Sequence, residues 1–151
     1  MFFRKKQHPF NKSEIAFIET HLKKAELTSS CELRIFIERD CVFNDALERA
    51  KEVFKELQMQ ATQERNALLI YVATDAKKFA IFGDEAIYEK AGGASFWEAA
   101  AAGFVNDVKS IDVTHALVKC IDTLSVPMQK HFPADALRND NELADEIVFG
   151  K

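Results

Sequence analysis

The chain has 151 residues, of which 48% are hydrophobic and 29% charged, and its formal net charge is −4. This size and composition predict one globular domain, residues 1–151, and exclude an extensively disordered protein. The negative charge and the lack of a basic stripe argue against a nucleic-acid partner. No apolar run is long enough for a membrane span, and three cysteines without a CxxC pair are typical of reduced thiols. We therefore expect a soluble, cytoplasmic protein.

The first third of the chain predicts a helix, a strand and a second helix. Residues 1–10 are expected to be an extended lead-in. Asn11 and Glu14 have the spacing of a capping box, which predicts that a helix begins there. Apolar and polar residues alternate over residues 32–38, as in a strand. An apolar stripe at helical spacing predicts the second helix over residues 46–57.

The middle of the chain predicts a hairpin of two strands. Residues 68–73 read LLIYVA, an apolar run on both faces, and such a run is typical of a strand that helices cover on both sides. The short turn TDAK follows, and residues 78–82 (KFAIF) are predicted to return antiparallel.

The last third predicts two helices and a tail. The first helix covers residues 94–108, and the second begins near Ile111 and is expected to kink or break at Pro127. The acidic tail, residues 134–151, is expected to pack on the domain. The order α, β, α, β, β, α, α, with a right-handed crossover, predicts a three-layer α/β/α sandwich. Its mixed sheet would contain a parallel pair and an antiparallel hairpin.

This topology places several polar residues at one rim of the sheet, where two parallel strands begin and the third ends. The residues are Glu32, Arg65, Asn66, Asp84 and Glu85. Carboxylates that converge on a loop-lined pocket are suited to a hard divalent cation, and the arginine to a phosphate. The alternative is an ordinary surface, with Glu32 paired to Arg65 and Asp84 capping the following turn. One general rule argues against a site at this rim, because ligands of open α/β sheets usually bind at the opposite end, where the parallel strands finish.

With these residues in this order, the chain resembles the TPM domain family, which is best known from a thylakoid-lumen protein described as an acid phosphatase. It is most similar to the short stand-alone bacterial members. The likeness rests on the order and spacing of SSCELRIFIE, MQATQERNALLIYVA, KFAIFGDEAI, FWE, KHFP and DNELADEI. The resemblance implies an α/β/α sandwich with calcium or magnesium binding, and phosphatase activity in some members. It also implies that the signature polar positions are Glu32, Arg65, Asn66 and Asp84.

The sequence departs from the family pattern beside each signature position. Short relatives read T-S-G-E, R-N-G and G-D-x-G, whereas this chain has Cys31, Ala67 and Ala86 in place of the glycines. Glycine permits positive φ and close approach of the backbone to a ligand. We therefore expect a reshaped pocket and a weakened or lost cation site.

Two functions follow as hypotheses. The first is a non-catalytic module that binds an unidentified protein partner or, weakly, calcium or magnesium. The alternative is a metal-dependent hydrolase of phosphomonoesters, in which Glu32 and Asp84 hold the metal while Arg65 and Asn66 bind the phosphate. No organic cofactor is predicted. The sequence predicts neither a substrate nor an oligomeric state.

Overall fold

The computed structural model of the protein describes residues 8–134 and 147–150. The other residues of the predicted lead-in and acidic tail, 1–7, 135–146 and 151, lie outside the described part. The helices are α1 (Lys12–Leu27), α2 (Ala46–Glu56), α3 (Glu85–Ala91), α4 (Ala94–Ser110) and α5 (Val113–His131). The strands are β1 (Leu33–Glu38), β2 (Leu68–Ala73), β3 (Lys78–Gly83) and β4 (Ile147–Phe149).

The strands form one mixed sheet in the order β3-β2-β1-β4. β1 and β2 are parallel, with Leu33 opposite Leu68, and β2 and β3 are antiparallel, with Leu68 opposite Gly83. The predicted parallel pair and hairpin are therefore confirmed. β4 lies parallel to β1 on its other side. Its three residues were expected only as part of the tail, because so short a segment carries no readable alternation.

Helices cover both faces of the sheet. α2 packs on one face, where Val53 and Phe54 meet Leu69 and Tyr71. The other four helices contribute to the core on the opposite face, where residues such as Leu117 meet the alternate strand side chains. Every residue of β1 and β2 is buried, which explains the continuous apolar run of β2. The predicted three-layer α/β/α sandwich is confirmed.

Local signals explain how most helices begin. The capping box is present, since Asn11 accepts from the Glu14 N–H and the Glu14 side chain accepts from the Asn11 N–H. Of the expected kink or break at Pro127, the break is wrong, because α5 continues through the proline; the kink stays a prediction. Leu124 and Met128 are both fully buried around the proline, and this burial outweighs the one lost hydrogen bond.

No helix in the described ranges is long and apolar enough to cross a membrane.

Candidate functional site

Three connections meet at the rim where β1 and β2 begin and β3 ends. The N–H of Leu68 donates to the carbonyl of Glu32 at 2.7 Å, and the N–H of Asp84 donates to the carbonyl of Ala67 at 2.9 Å. These bonds tie the loop before β1, the loop before β2 and the residue after β3 into one edge. The structure thus places Glu32, Arg65, Asn66 and Asp84 on the same rim.

Arg65 and Asp84 form a bidentate ion pair at this rim. Arg65 Nε lies 2.7 Å from Asp84 Oδ2, and Nη2 lies 2.8 Å from Oδ1. Oδ1 also accepts from the Glu85 N–H at 2.8 Å, which caps α3. The hydrogen bonds to Asp84 and its negative charge raise the pKa of Arg65. Both carboxylate oxygens of Asp84 are therefore already engaged by the protein itself.

The pair is held by an unusual backbone. Arg65 has a φ of 50°, in the left-handed region that favours glycine, and its carbonyl accepts from the Ala86 N–H at 3.1 Å. The Asp84 side chain is 6% exposed, whereas the Arg65 side chain is 42% exposed. The guanidinium therefore covers the carboxylate and presents its own outer edge to solvent, where its Nη1 lies 3.4 Å from Glu85 Oε1.

Asn66 belongs to a second polar group on the rim. Its Nδ2 donates to Ser30 Oγ at 3.3 Å and to Glu64 Oε2 at 3.1 Å, and Ser30 Oγ donates to the same Glu64 oxygen at 2.9 Å. Asn66 is 1% exposed, and its Oδ1 is buried with no hydrogen-bond partner in the described residues. Glu64 is not among the residues predicted from the sequence, where its place next to Arg65 is the only signal for it.

Glu32 lies on the same rim and is buried. It was expected to pair with Arg65 if the rim were an ordinary surface, but the ion-pair partners of Arg65 are Asp84 and Glu85. Burial raises the pKa of the neighbouring Cys31 to about 12; a hydrogen bond with Ser29 opposes this, and the charges of Glu64 and Glu32 add to it. Cys31 is therefore a protonated packing residue.

The three residues that the resemblance sets against glycines of short relatives are packed against the core. Cys31 and Ala67 are buried on opposite faces of the sheet, and Ala86 is half-buried against the core around α3. The only non-glycine residues with positive φ in the described ranges are Gln58, Arg65 and Lys77. The left-handed conformation at this rim is thus adopted by Arg65, two residues before Ala67.

A model of the TPM domain matches residues 4–126. The chain belongs to the TPM domain family. Its fold is similar to that of the BA42 protein from the psychrophilic bacterium Bizionia argentinensis, with a TM-score of 0.84 and 29% identity over 97% of this chain and 99% of that one. The N-terminal domain of the cg2496 protein from Corynebacterium glutamicum shares the fold at 9% identity, with a TM-score of 0.64 over 91% and 84%. Among curated proteins there is no match.

The oxygen atoms of this TPM domain are a poor fit to the calcium or magnesium site that the family implies. Such ions need about six or more oxygen ligands. Over residues 8–134 and 147–150, no three His, Cys, Asp or Glu side chains are grouped to hold a metal. Asp84 is engaged by Arg65, and Glu64 accepts from Ser30 and Asn66. Among the rim acceptors that the structure describes, the buried Asn66 Oδ1 is shown to lack a donor.

Proposed function

We propose that this TPM domain is a non-catalytic binding module whose divalent-cation site is weakened or lost. The observation that carries the proposal is the bidentate Arg65–Asp84 pair. A cation at Asp84 would have to replace a guanidinium that bonds both carboxylate oxygens. A phosphate that binds the Nε–Nη2 face of Arg65 would have to replace the same carboxylate, and the remaining outer edge of the guanidinium lies beside the carboxylate of Glu85. The pair therefore occupies the cation ligand Asp84 completely and the phosphate ligand Arg65 on its better-placed face.

The partner of the module is proposed to be a protein, in a cytoplasmic setting. The cysteines Cys31, Cys41 and Cys120 are all free thiols, as is typical of a reducing compartment. The negative net charge disfavours a nucleic acid.

The alternative function is a metal-dependent phosphomonoester hydrolase. It is supported by the shared rim of Glu32 and Asp84 and by the unpartnered Asn66 Oδ1, which has the chemistry of a calcium ligand. A bound ion would supply polarisation of a phosphoryl oxygen. In this alternative Arg65 has to leave Asp84 and, together with Asn66, orient the phosphate.

A titration with Ca²⁺ or Mg²⁺, followed by backbone amide chemical shifts, separates the two functions. We expect the amides of Ser30, Arg65 and Asp84 to stay unshifted at millimolar ion. We also expect phosphate-ester hydrolysis by wild type and Asp84→Asn to be equal, within about twofold.

Asp75→Asn is the matched control for this experiment, because Asp75 also pairs with an arginine, Arg39, but near the β2–β3 turn at the opposite end of the sheet. Saturable shifts at the rim would show a working cation site. Hydrolysis that falls at least tenfold in Asp84→Asn and not in Asp75→Asn would establish the hydrolase instead.

A further inference from the structure

β3 is an edge strand whose outer side is unpaired in the described residues. It stands at the end of the order β3-β2-β1-β4. Because the Asp84 N–H bonds to the Ala67 carbonyl, the ladder bonds between β3 and β2 fall on Phe82 and Ala80, in alternation. The backbone N–H and C=O groups of the intervening residues therefore point outward. These residues are Phe79, Ile81 and Gly83.

This edge carries few of the features that usually protect an edge strand from pairing. Exposed edges are commonly shortened, bulged, or interrupted by proline or inward charge. β3 is six residues long, pairs with β2 in unbroken register and reads KFAIFG, with its only charge at the first position. The other edge, β4, is only three residues long. In the part of the chain that the structure describes, β3 is therefore the strand edge best suited to pairing.

A groove of about 510 Å³ runs along the β3 edge. Its floor includes Phe79 to Gly83, a length of roughly 13 Å. Its walls come from helices on the two faces of the sheet, Leu47 of α2 on one side and Trp97 and Ala101 of α4 on the other. The groove is therefore lined from both faces of the sheet, and the strand edge lies between α2 and α4.

The charged residues of the groove indicate what kind of segment fits. Asp45, Glu85 and Glu98 line it and are exposed, and Glu85 also lies 3.4 Å from the Arg65 guanidinium. Among the described lining residues, Lys51 is the only basic one. A second copy of β3 would bring the same acidic groups against their own copies, so like charges oppose self-pairing. A segment with basic side chains matches the acidic residues, and its apolar side chains match the aromatic and aliphatic walls.

We propose that the β3 groove binds an extended peptide segment of a partner protein, in which apolar residues alternate with lysine or arginine, by adding it as a fifth strand. The outward groups of Phe79, Ile81 and Gly83 form the ladder bonds, and the helix side chains select the peptide side chains. This inference rests on the proposed function as a binding module, and it adds the class of partner and the surface that binds it.

The test uses the full chain, labelled with ¹⁵N, and the synthetic peptide acetyl-Lys-Ile-Arg-Val-Lys-Ile-amide. Hydrogen exchange reports the pairing directly. In the free protein the amides of Ala80 and Phe82 exchange slowly, because they bond to β2. We expect the peptide to slow the amides of Phe79, Ile81 and Gly83 at least tenfold. A peptide with glutamate in place of each lysine and arginine is expected to leave them unchanged.

Two variants with matched controls locate the binding. Ala101→Trp fills the groove and is expected to abolish the protection, whereas Ala99→Trp, on the exposed side of the same helix, retains it. Glu98→Lys is expected to weaken peptide affinity about two- to fivefold. Glu89→Lys, at another exposed position and outside the groove, leaves the affinity unchanged.

Three results would overturn the inference: no protection of the outward amides, equal binding of the glutamate peptide, or a dimer in sedimentation that Ala101→Trp dissolves. The last would assign the groove to a second copy. Failure of this groove proposal can be distinguished from failure of the proposed function. Asp84-dependent hydrolysis would refute the non-catalytic module even if the peptide binds, whereas an inert rim with no peptide binding refutes only the groove.

Discussion

Two arginines each hold a carboxylate by two hydrogen bonds, one at each end of the sheet. At the rim where β1 and β2 begin, Arg65 holds Asp84. At their carboxyl end, Arg49 of α2 holds Glu38, with Nε 2.8 Å from Oε2 and Nη2 3.0 Å from Oε1. The Tyr71 hydroxyl donates to the same Glu38 carboxylate. The two pairs have the same chemistry but opposite surroundings.

The Glu38 pair is enclosed, with side chains 9% and 16% exposed, whereas the Arg65 side chain is 42% exposed. Burial raises the pKa of Glu38, but the hydrogen bonds from Arg49 and Tyr71 outweigh burial and leave that pKa below its ordinary value. Ligands of open α/β sheets usually bind at the carboxyl ends of parallel strands. In this protein, the enclosed pair fills part of that end. The comparison shows that the same arginine–carboxylate pair can belong to the core or to a candidate site. The exposed fraction of the arginine side chain distinguishes the two cases.

Removal of Arg49 is expected to give the largest effect. Arg49→Ala leaves the Glu38 carboxylate buried with Tyr71 as its remaining donor among the hydrogen bonds described above. We expect the free energy of unfolding to fall by about 3 kcal/mol, as when one partner of a buried ion pair is removed. Urea denaturation followed by circular dichroism measures it.

Arg39→Ala is the matched control for the enclosed pair. Arg39 binds Asp75 in a pair with side chains 33% and 45% exposed, and an exposed pair contributes about 0–1 kcal/mol. Equal losses in Arg49→Ala and Arg39→Ala would mean that enclosure of the Glu38 pair contributes nothing to stability.

The pH dependence of the enclosed pair is the next effect in size. Because the folded pKa of Glu38 lies below its ordinary value of 4.5, the pair stabilises the fold fully above that value. The contribution is lost as the pH falls through the folded pKa. Glu38→Gln is therefore expected to be less stable than wild type by about 2 kcal/mol at pH 7, with a difference that shrinks below about pH 4.5. A difference that stays constant from pH 7 to pH 3 would show that the charge of Glu38 is not what stabilises the fold.

The sequence was sufficient to predict β1, β2, β3 and the shared rim because they follow from short-range pattern and one topological rule. The alternation before Glu38 and the apolar run of β2 identify the strands, and a right-handed crossover makes them parallel. Parallel β1 and β2 begin at the same edge and antiparallel β3 ends there, so Glu32 and Asp84 had to share a rim. No side-chain geometry was needed for that step.

The pairings on the rim could not be predicted, because they depend on backbone conformation that no pattern encodes. Arg65 has a left-handed φ and pairs with Asp84, and no pattern in the sequence indicates the left-handed backbone. The link between Ser30, Glu64 and Asn66 likewise depends on side chains from two loops 34 residues apart. β4 was missed because a three-residue strand is identified only by its partner, β1.

The smallest effect concerns the backbone of the exposed pair. Arg65→Gly and Arg65→Ala both remove the guanidinium and leave Asp84 with the Glu85 N–H. Because φ is 50° at Arg65, glycine fits this conformation without strain and alanine does not. We expect the urea midpoint of the glycine variant to exceed that of the alanine variant by about half a molar.

Arg49 provides the reversed control for this measurement. It lies inside α2, where alanine favours the helix and glycine disfavours it, so Arg49→Ala should be more stable than Arg49→Gly. If alanine were equally well tolerated at position 65, the loop would have left the left-handed region once the guanidinium was gone. The ion pair would then be the cause of the strained backbone rather than its consequence, and the rim would be free to rearrange around a ligand that displaces Arg65.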